Sequence, residues 1–162
     1  MIKLLATSKK VGDQYYAMVS PVMIGNDNPL YSVNDVFNAI FVHGNMLGDA
    51  MFYGSGAGKL PTASAVVGDI VECAKHLGEN VPNNWSAEPL NLISKDQVEN
   101  RFFVRVSADE KAKAAELFGA VEEVSVADVA GEYAFVTGKM SEAAFEEKAA
   151  SLNVISRIRA RF

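Results

Sequence analysis

The residues best suited to contact a ligand lie in one glycine-rich turn at residues 53–62. Gly54, Gly56 and Gly58 alternate there, and glycine lets a backbone approach a bound molecule closely because it has no Cβ. Pro61 suits the first position of a helix, whose N-terminus offers free N–H groups and a positive dipole end. Lys59 adds a positive charge. The pattern indicates either contact with an anion or cofactor, or a tight structural turn.

Two nucleotide-binding motifs nearly match this turn and fail. A P-loop needs Gly at position 53 and Ser or Thr at position 60, where Tyr53 and Leu60 stand. A dinucleotide fingerprint needs a third Gly at position 59, where Lys59 stands. The turn therefore matches neither motif.

Other reactive side chains form no recognisable constellation. His43 and His76 lack a metal-ligand spacing, so we predict no metal site. Cys73, the single cysteine, excludes an internal disulfide, fits a reducing cytoplasm and is interpreted as an inert buried thiol. No carboxylate pair or Ser-His-Asp arrangement emerges, and we predict no catalytic residue.

Composition narrows the class of protein. Hydrophobic residues make up 49% of the 162 residues and charged residues 22%, which is typical of a globular protein. The net charge of -5 argues against nucleic acid and anionic membrane as partners, because both select basic surfaces. The apolar run at the start is too short for a signal sequence or a membrane span.

The elements that must position the turn are read from hydrophobic patterns. Residues 2–8 and 15–24 predict a β-hairpin, and residues 39–42 and 50–53 predict two short buried strands. An apolar stripe predicts a helix from about Pro61 to Leu77. Residues 78–99, rich in Pro, Asn and Gly, are typical of a linker.

The rest of the chain predicts a β-α-β-β-α-β order with two helices on one face of an antiparallel sheet, the ferredoxin-like arrangement. Its predicted elements are strand 101–107, helix 110–119 opened by a Ser107–Glu110 capping box, strands 121–129 and 132–137, a helix capped by Ser141, and strand 154–162. Arg157, Arg159 and Arg161 alternate in the last strand, and predict a solvated basic face with Arg101 and Arg105 beside it.

Three runs of sequence resemble the homoserine dehydrogenase family. They are PLYSVNDVFNA at 29–39, GDAMFYGSGAG at 48–58 and PTASAVVGDI at 61–70, and the resemblance covers about residues 2–77. Residues 100–162 look like an ACT domain, which some members carry at the C-terminus. The resemblance predicts an α+β chain: the remnant of a mixed β-sheet with helices at 1–80, a linker at 81–99, and a ferredoxin-like βαββαβ ACT domain at 100–162.

Function follows from the resemblance. The family interconverts aspartate semialdehyde and homoserine with NAD or NADP, on the path to threonine and methionine. Its Rossmann domain and catalytic lysine region are not visible here, so we expect this chain to be inactive alone, to bind no cofactor alone, and to need the missing N-terminal Rossmann domain as partner. The resemblance assigns cofactor contacts to Gly54, Gly56, Ala57, Gly58 and Thr62.

Partners and regulation are also expectations. A homo-oligomer is predicted because a half-domain exposes strand edges and apolar surface. ACT domains that bind amino acids often have Asp-x-Pro-Gly after their first strand. Here Lys111 and Ala112 replace the Pro and Gly, so an amino-acid effector is expected to bind weakly or not at all. The alternative is a stand-alone ACT-type module that senses amino acids or drives dimerisation.

Overall fold

The computed structural model describes all residues from Met1 to Phe162. The chain is α+β, as predicted, with nine strands and three α-helices. The strands are β1 (Ile2–Val11), β2 (Gln14–Ile24), β3 (Phe37–Gly44), β4 (Gly48–Ser55), β5 (Glu99–Ser107), β6 (Glu122–Val124), β7 (Glu132–Val136), β8 (Met140–Ser141) and β9 (Val154–Arg161). The helices are α1 (Lys59–Lys75), α2 (Lys111–Phe118) and α3 (Glu142–Ala149).

Contacts divide the chain into two compact units, residues 1–25 with 90–162, and residues 26–89. In the first unit the strands lie in the order β1-β2-β9-β5-β7-β6. The predicted hairpin is confirmed, because β1 pairs with β2 along its whole length and the chain turns at Gly12, whose φ is +60°. The hairpin extends the sheet because β2 pairs in parallel with the end of β9.

The predicted β-α-β-β-α-β order is confirmed in residues 99–161, with the two-residue strand β8 added between β7 and α3 and paired with β5. Strand β5 lies between β9 and β7, β6 follows β7, and all these neighbours are antiparallel. Phe102, Val104 and Val106 alternate along β5 and are buried under α2 and α3. They form one core cluster with Phe135 of β7 and Phe145 of α3. Because successive strand side chains point to opposite faces, this alternation puts one face of β5 under the helices.

The predicted caps have different outcomes. Ser141 caps α3 as predicted, since its Oγ accepts a hydrogen bond from the Ala144 N–H at 3.2 Å. The Ser107–Glu110 capping box is wrong. A 3-10 turn at Ala108–Glu110 precedes α2, Ser107 makes no cap bond, and the Glu110 carboxylate accepts instead from the Asn153 N–H at 3.0 and 3.1 Å. The strand predicted over 121–129 is also shorter, because the chain turns between Val126 and Val129.

The arginines lie on two faces, which corrects the prediction that they share one. Arg157 and Arg159 pair opposite Val104 and Phe102, so they lie on the face that carries the helices. Arg101 and Arg105 pair opposite Ala160 and Ser156, and therefore lie on the other face. The prediction assumed that the arginines of β5 lie beside those of β9. The two sets are offset by one residue, and a shift of one residue moves a side chain to the opposite face of the sheet.

The face under α3 holds a buried ion cluster instead of a solvated basic stripe. Glu142, which is 3% exposed, accepts a hydrogen bond from Arg159 Nε at 2.6 Å and lies 3.7 Å from Arg157. Arg157 also pairs with Glu146 at 2.7 Å and lies over the Phe145 ring, 5.0 Å from its centroid. A buried carboxylate is tolerated when cations and hydrogen bonds compensate the lost hydration, as they do here.

The second unit pairs β3 with β4 and adds α1, which begins at Lys59, two residues before the predicted Pro61. The prediction of buried strands is wrong, because Ile40 and Phe52 are each about two-thirds exposed. Helix α1 contains no buried residue, and its apolar stripe, including Ile70, is exposed as well. A two-stranded sheet and one helix are too few elements to enclose a core, so the hydrophobic pattern does not lead to burial within residues 26–89.

Candidate functional site

The glycine turn joins the end of β4 to the start of α1. Gly54 pairs with Asn38 of β3, and the Gly56 N–H donates to the Val36 carbonyl at 2.9 Å. Gly58 is the N-cap residue of α1 and has a φ of +120°, a conformation that residues with a side chain rarely adopt. Its carbonyl accepts the Thr62 N–H at 3.1 Å, which closes the first helical turn.

The structure brings together all five residues predicted to contact a cofactor. Gly54, Gly56, Ala57 and Gly58 follow one another in the turn, Thr62 lies in the first turn of α1, and all five are exposed. The N–H groups of Lys59 and Leu60 open the helix and have no intrahelical acceptor, and Pro61 has no N–H. No acidic side chain lies in this first turn. The turn therefore presents backbone donors and a positive helix end suited to a negatively charged group.

Asn38 packs against the turn and was not singled out from the sequence as a site residue. A Cβ placed on Gly56 would lie 1.7 Å from Asn38 Nδ2, so any side chain at position 56 must displace Asn38. The Val36 carbonyl accepts from both Gly56 N–H and Asn38 Nδ2, at 2.9 and 3.5 Å. Only strand register places residue 38 opposite the turn, which is why spacing along the sequence gave no signal.

The histidines and the cysteine take no part in this turn. His43 Nδ1 lies 2.5 Å from Asp49 Oδ1 in a cross-strand pair, with both side chains largely exposed. His76 follows α1 as its C-cap. Cys73 is exposed on that helix, so the prediction of a buried thiol is wrong, because α1 buries none of its residues. No group of three or more His, Cys, Asp or Glu side chains is arranged to hold a metal ion. No helix combines the length and apolar character needed to cross a bilayer.

Four side chains of the first unit have shifted pKa values, namely Tyr16, Lys111, Glu123 and Tyr133. Burial raises the pKa of Tyr16, and the charges of Arg159 and Arg161 partly oppose that rise. Lys111 and Glu123 form an exposed ion pair at 2.9 Å beside the Tyr133 ring. Their hydrogen bond raises the pKa of Lys111 and lowers the pKa of Glu123. The shifts of Lys111 and Glu123 arise from an ion pair between α2 and the strand β6, and none of these residues lies in the glycine turn.

Comparison with known proteins identifies the family. Residues 1–71 match the family model described as homoserine dehydrogenase. The chain is 35% identical over 138 residues to homoserine dehydrogenase from Lactococcus lactis, an alignment that spans 80% of this chain and 32% of that protein. It is 30% identical over 168 residues to the Bacillus subtilis homoserine dehydrogenase, spanning 94% and 39% of the two chains. The chain belongs to the homoserine dehydrogenase family.

Homoserine dehydrogenases of known structure share the fold. The crystal structure of a homoserine dehydrogenase from Thiobacillus denitrificans superposes with a TM-score of 0.71 at 24% identity, covering 99% of this chain and 42% of that one. This chain spans about a third of the length of the curated homoserine dehydrogenases it matches. The region it matches is the C-terminal portion of these larger proteins.

Proposed function

We propose that this chain forms the C-terminal part of a homoserine dehydrogenase, which interconverts aspartate semialdehyde and homoserine with NAD or NADP in the cytoplasm, on the path to threonine and methionine. The observation that carries the proposal is the glycine turn, because it lies in the matched region and opens a helix with free backbone donors. In the assembled enzyme, Gly54, Gly56, Ala57, Gly58 and Thr62 contact the cofactor through this turn.

The proposal assigns these residues to binding and positioning. Backbone N–H groups at the start of α1 hold a negatively charged group of the cofactor, and the absence of Cβ atoms allows close approach. Hydride transfer is the chemistry of the nicotinamide, which must be fixed against the substrate by the whole protein. Because the Rossmann domain and the catalytic lysine lie outside the 162 residues, the isolated chain neither binds the cofactor nor turns over homoserine.

The first test joins this chain to a catalytic half. We expect no reduction of NAD or NADP by the purified chain with homoserine, and clear turnover when the chain replaces the matched region of the Lactococcus lactis enzyme. Gly56→Ala in that chimera should lower kcat/KM about tenfold or more, because the added Cβ must displace the Asn38 side chain, which packs against the turn that contacts the cofactor. Gly68→Ala on α1 is the control, since a Cβ there meets open space.

Turnover by the chain alone would contradict the proposal that the cofactor-binding domain lies outside these 162 residues. A folded chimera without activity would contradict the family function proposed for this chain.

Self-association is a second part of the proposal. Strand β1 lies at the edge of its sheet, with ten residues whose outer backbone side has no neighbouring strand. The second unit exposes Ile40, Phe52 and Ile70. Uncovered strand edges and apolar patches of this kind favour association. We expect light scattering at micromolar concentration to give a mass of a dimer or larger, and a monomer throughout that range would contradict this.

The ACT assignment concerns residues 100–162, whose ferredoxin-like order supports it. Amino acids are expected to bind weakly or not at all at the corner between β5 and α2. The Glu110 carboxylate already occupies this corner and accepts the Asn153 N–H. Ala112 lies inside α2 and has a negative φ, so it causes no backbone strain, but its methyl stands where the motif has Gly. Calorimetry with threonine, methionine, isoleucine and lysine at millimolar concentration tests this, and a saturable signal abolished by Ala112→Phe would overturn it.

A further inference from the structure

A cleft of about 720 Å³ lies in the first unit, and none of the residues that line it belongs to the glycine turn. The hairpin β1–β2 forms one wall, and the segment that leads into β5 and the end of β9 form the other. Its apolar lining includes Val11, Tyr16, Ile93, Val98 and Ala160. The volume is that of a site for a small organic molecule, and apolar walls with a few polar groups are typical of such sites.

The cleft is cationic although the protein is acidic. Its lining contains four basic side chains, Lys9, Arg101, Lys139 and Arg161, and one acidic side chain, Glu99. The net charge of the whole chain is -5. The cleft is therefore lined mainly by positive charges although the protein as a whole carries a negative net charge.

Three of the four cations are unpaired. Arg101 is engaged, because its Nε donates to the Thr137 carbonyl at 3.1 Å and its guanidinium pairs with Glu122 at 2.8 Å. Lys9, Lys139 and Arg161 take part in none of the ion pairs of the structure. Cations gathered around one cleft repel each other, and an anion among them relieves that repulsion.

We propose that this cleft binds a small organic anion, whose phosphate or carboxylate group lies among Lys9, Lys139 and Arg161 and whose apolar part packs against Tyr16 and Val98. Lysine and arginine are the side chains that recognise both kinds of anion. The site is separate from the corner between β5 and α2, because the cleft is lined by Glu99, Asn100 and Arg101 at the start of β5, and the corner follows Ser107 at its end.

The test uses the 162-residue chain and two aromatic anions, phenyl phosphate and phthalate. We expect at least one to bind saturably in calorimetry, with a dissociation constant of about 1 mM or tighter. Affinity should fall as salt is added, because exposed charges are screened over about 10 Å at 0.1 M ionic strength. Tighter binding of phenyl phosphate would identify a phosphate ligand, and tighter binding of phthalate a carboxylate ligand.

Lys9 and Lys10 supply a matched pair of variants. They are neighbours on β1, and their side chains point to opposite faces. Lys9 lines the cleft, whereas Lys10 does not line it and its Nζ lies 5.9 Å from the centre of the Tyr15 ring. K9E should weaken binding about tenfold or more, since it replaces attraction by repulsion, and K10E should change it less than about twofold.

A second measurement does not depend on how the variants fold. In nuclear magnetic resonance spectra of the unaltered chain, the bound anion should shift the methyl signals of Val11, Val98 and Ala160, which line the cleft. Val66 and Val67 on α1, which lie outside the cleft, should not shift. The proposal is overturned if neither anion binds up to about 10 mM, if K10E weakens binding as much as K9E, or if the cleft methyls do not respond.

Discussion

Replacing Glu142 by alanine is expected to lower the free energy of unfolding of the first unit by about 3 kcal/mol. The Glu142 carboxylate is buried between α3 and β9, where it accepts a hydrogen bond from Arg159 Nε and lies near Arg157. Its removal leaves Arg159, whose side chain is 19% exposed, without a counter-charge. Removing one partner of a buried pair costs more than the pair contributes, because the remaining charge stays desolvated.

The control for this variant is Glu146→Ala. Glu146 pairs with Arg157 at 2.7 Å, but its side chain is 63% exposed. An exposed pair of this kind contributes less than about 1 kcal/mol. Urea unfolding followed by circular dichroism should therefore separate the two variants by at least about 2 kcal/mol. Equal losses of unfolding free energy in the two variants would show that the burial of Glu142 does not increase its contribution to stability.

Phe145→Ala is expected to cost about 4 kcal/mol of unfolding free energy. Phe145 is 1% exposed, and its ring lies 4.6 Å from the Phe102 ring and 5.5 Å from the Phe118 ring, measured between centroids. Truncation removes the contacts by which α3 packs on both β5 and α2. The Phe102 ring is held by β5 and the Phe118 ring by α2, so they cannot collapse fully into the space, and a cavity term adds to the lost transfer free energy.

The matched surface variant is Phe52→Ala, because Phe52 is 68% exposed on β4. Its effect on the same unfolding transition should stay within about 0.5 kcal/mol. Hydrogen exchange of the β5 amides gives a second readout, because these amides report the opening of the first unit without assuming that the chain unfolds in a single step. If protection of β5 is unchanged in Phe145→Ala, α3 is not part of the cooperative core.

Local sequence patterns predicted the features that are determined by residues close together in the sequence. The alternation of Phe102, Val104 and Val106 predicted both the strand and its buried face, because the period of two is a property of the backbone itself. The Ser141 cap was also predictable, since the hydroxyl and the Ala144 N–H that it caps are three residues apart.

Features that depend on partners distant in sequence were missed. The faces of Arg101 and Arg157 follow from the register between β5 and β9, which no local pattern fixes. The glycine turn was predicted as one cluster, whereas the contact of Gly56 with Asn38 needs the pairing of β3 with β4. Burial of Ile40 was predicted from hydrophobicity alone, and hydrophobicity does not say whether residues 26–89 contain enough structure to cover it.

The pairing of β2 with β9 has a consequence for how the chain is made. Val22 lies opposite Arg159, so almost the whole sequence separates two neighbours in one sheet. The hairpin β1–β2 is synthesised long before β9, so one edge of β2 stays open until β9 has emerged from the ribosome. Contacts between such distant residues form slowly, and an open strand edge is a template for pairing with other chains. Nascent chains halted before β9 should therefore be the species that need chaperones, while completed chains close their own sheet.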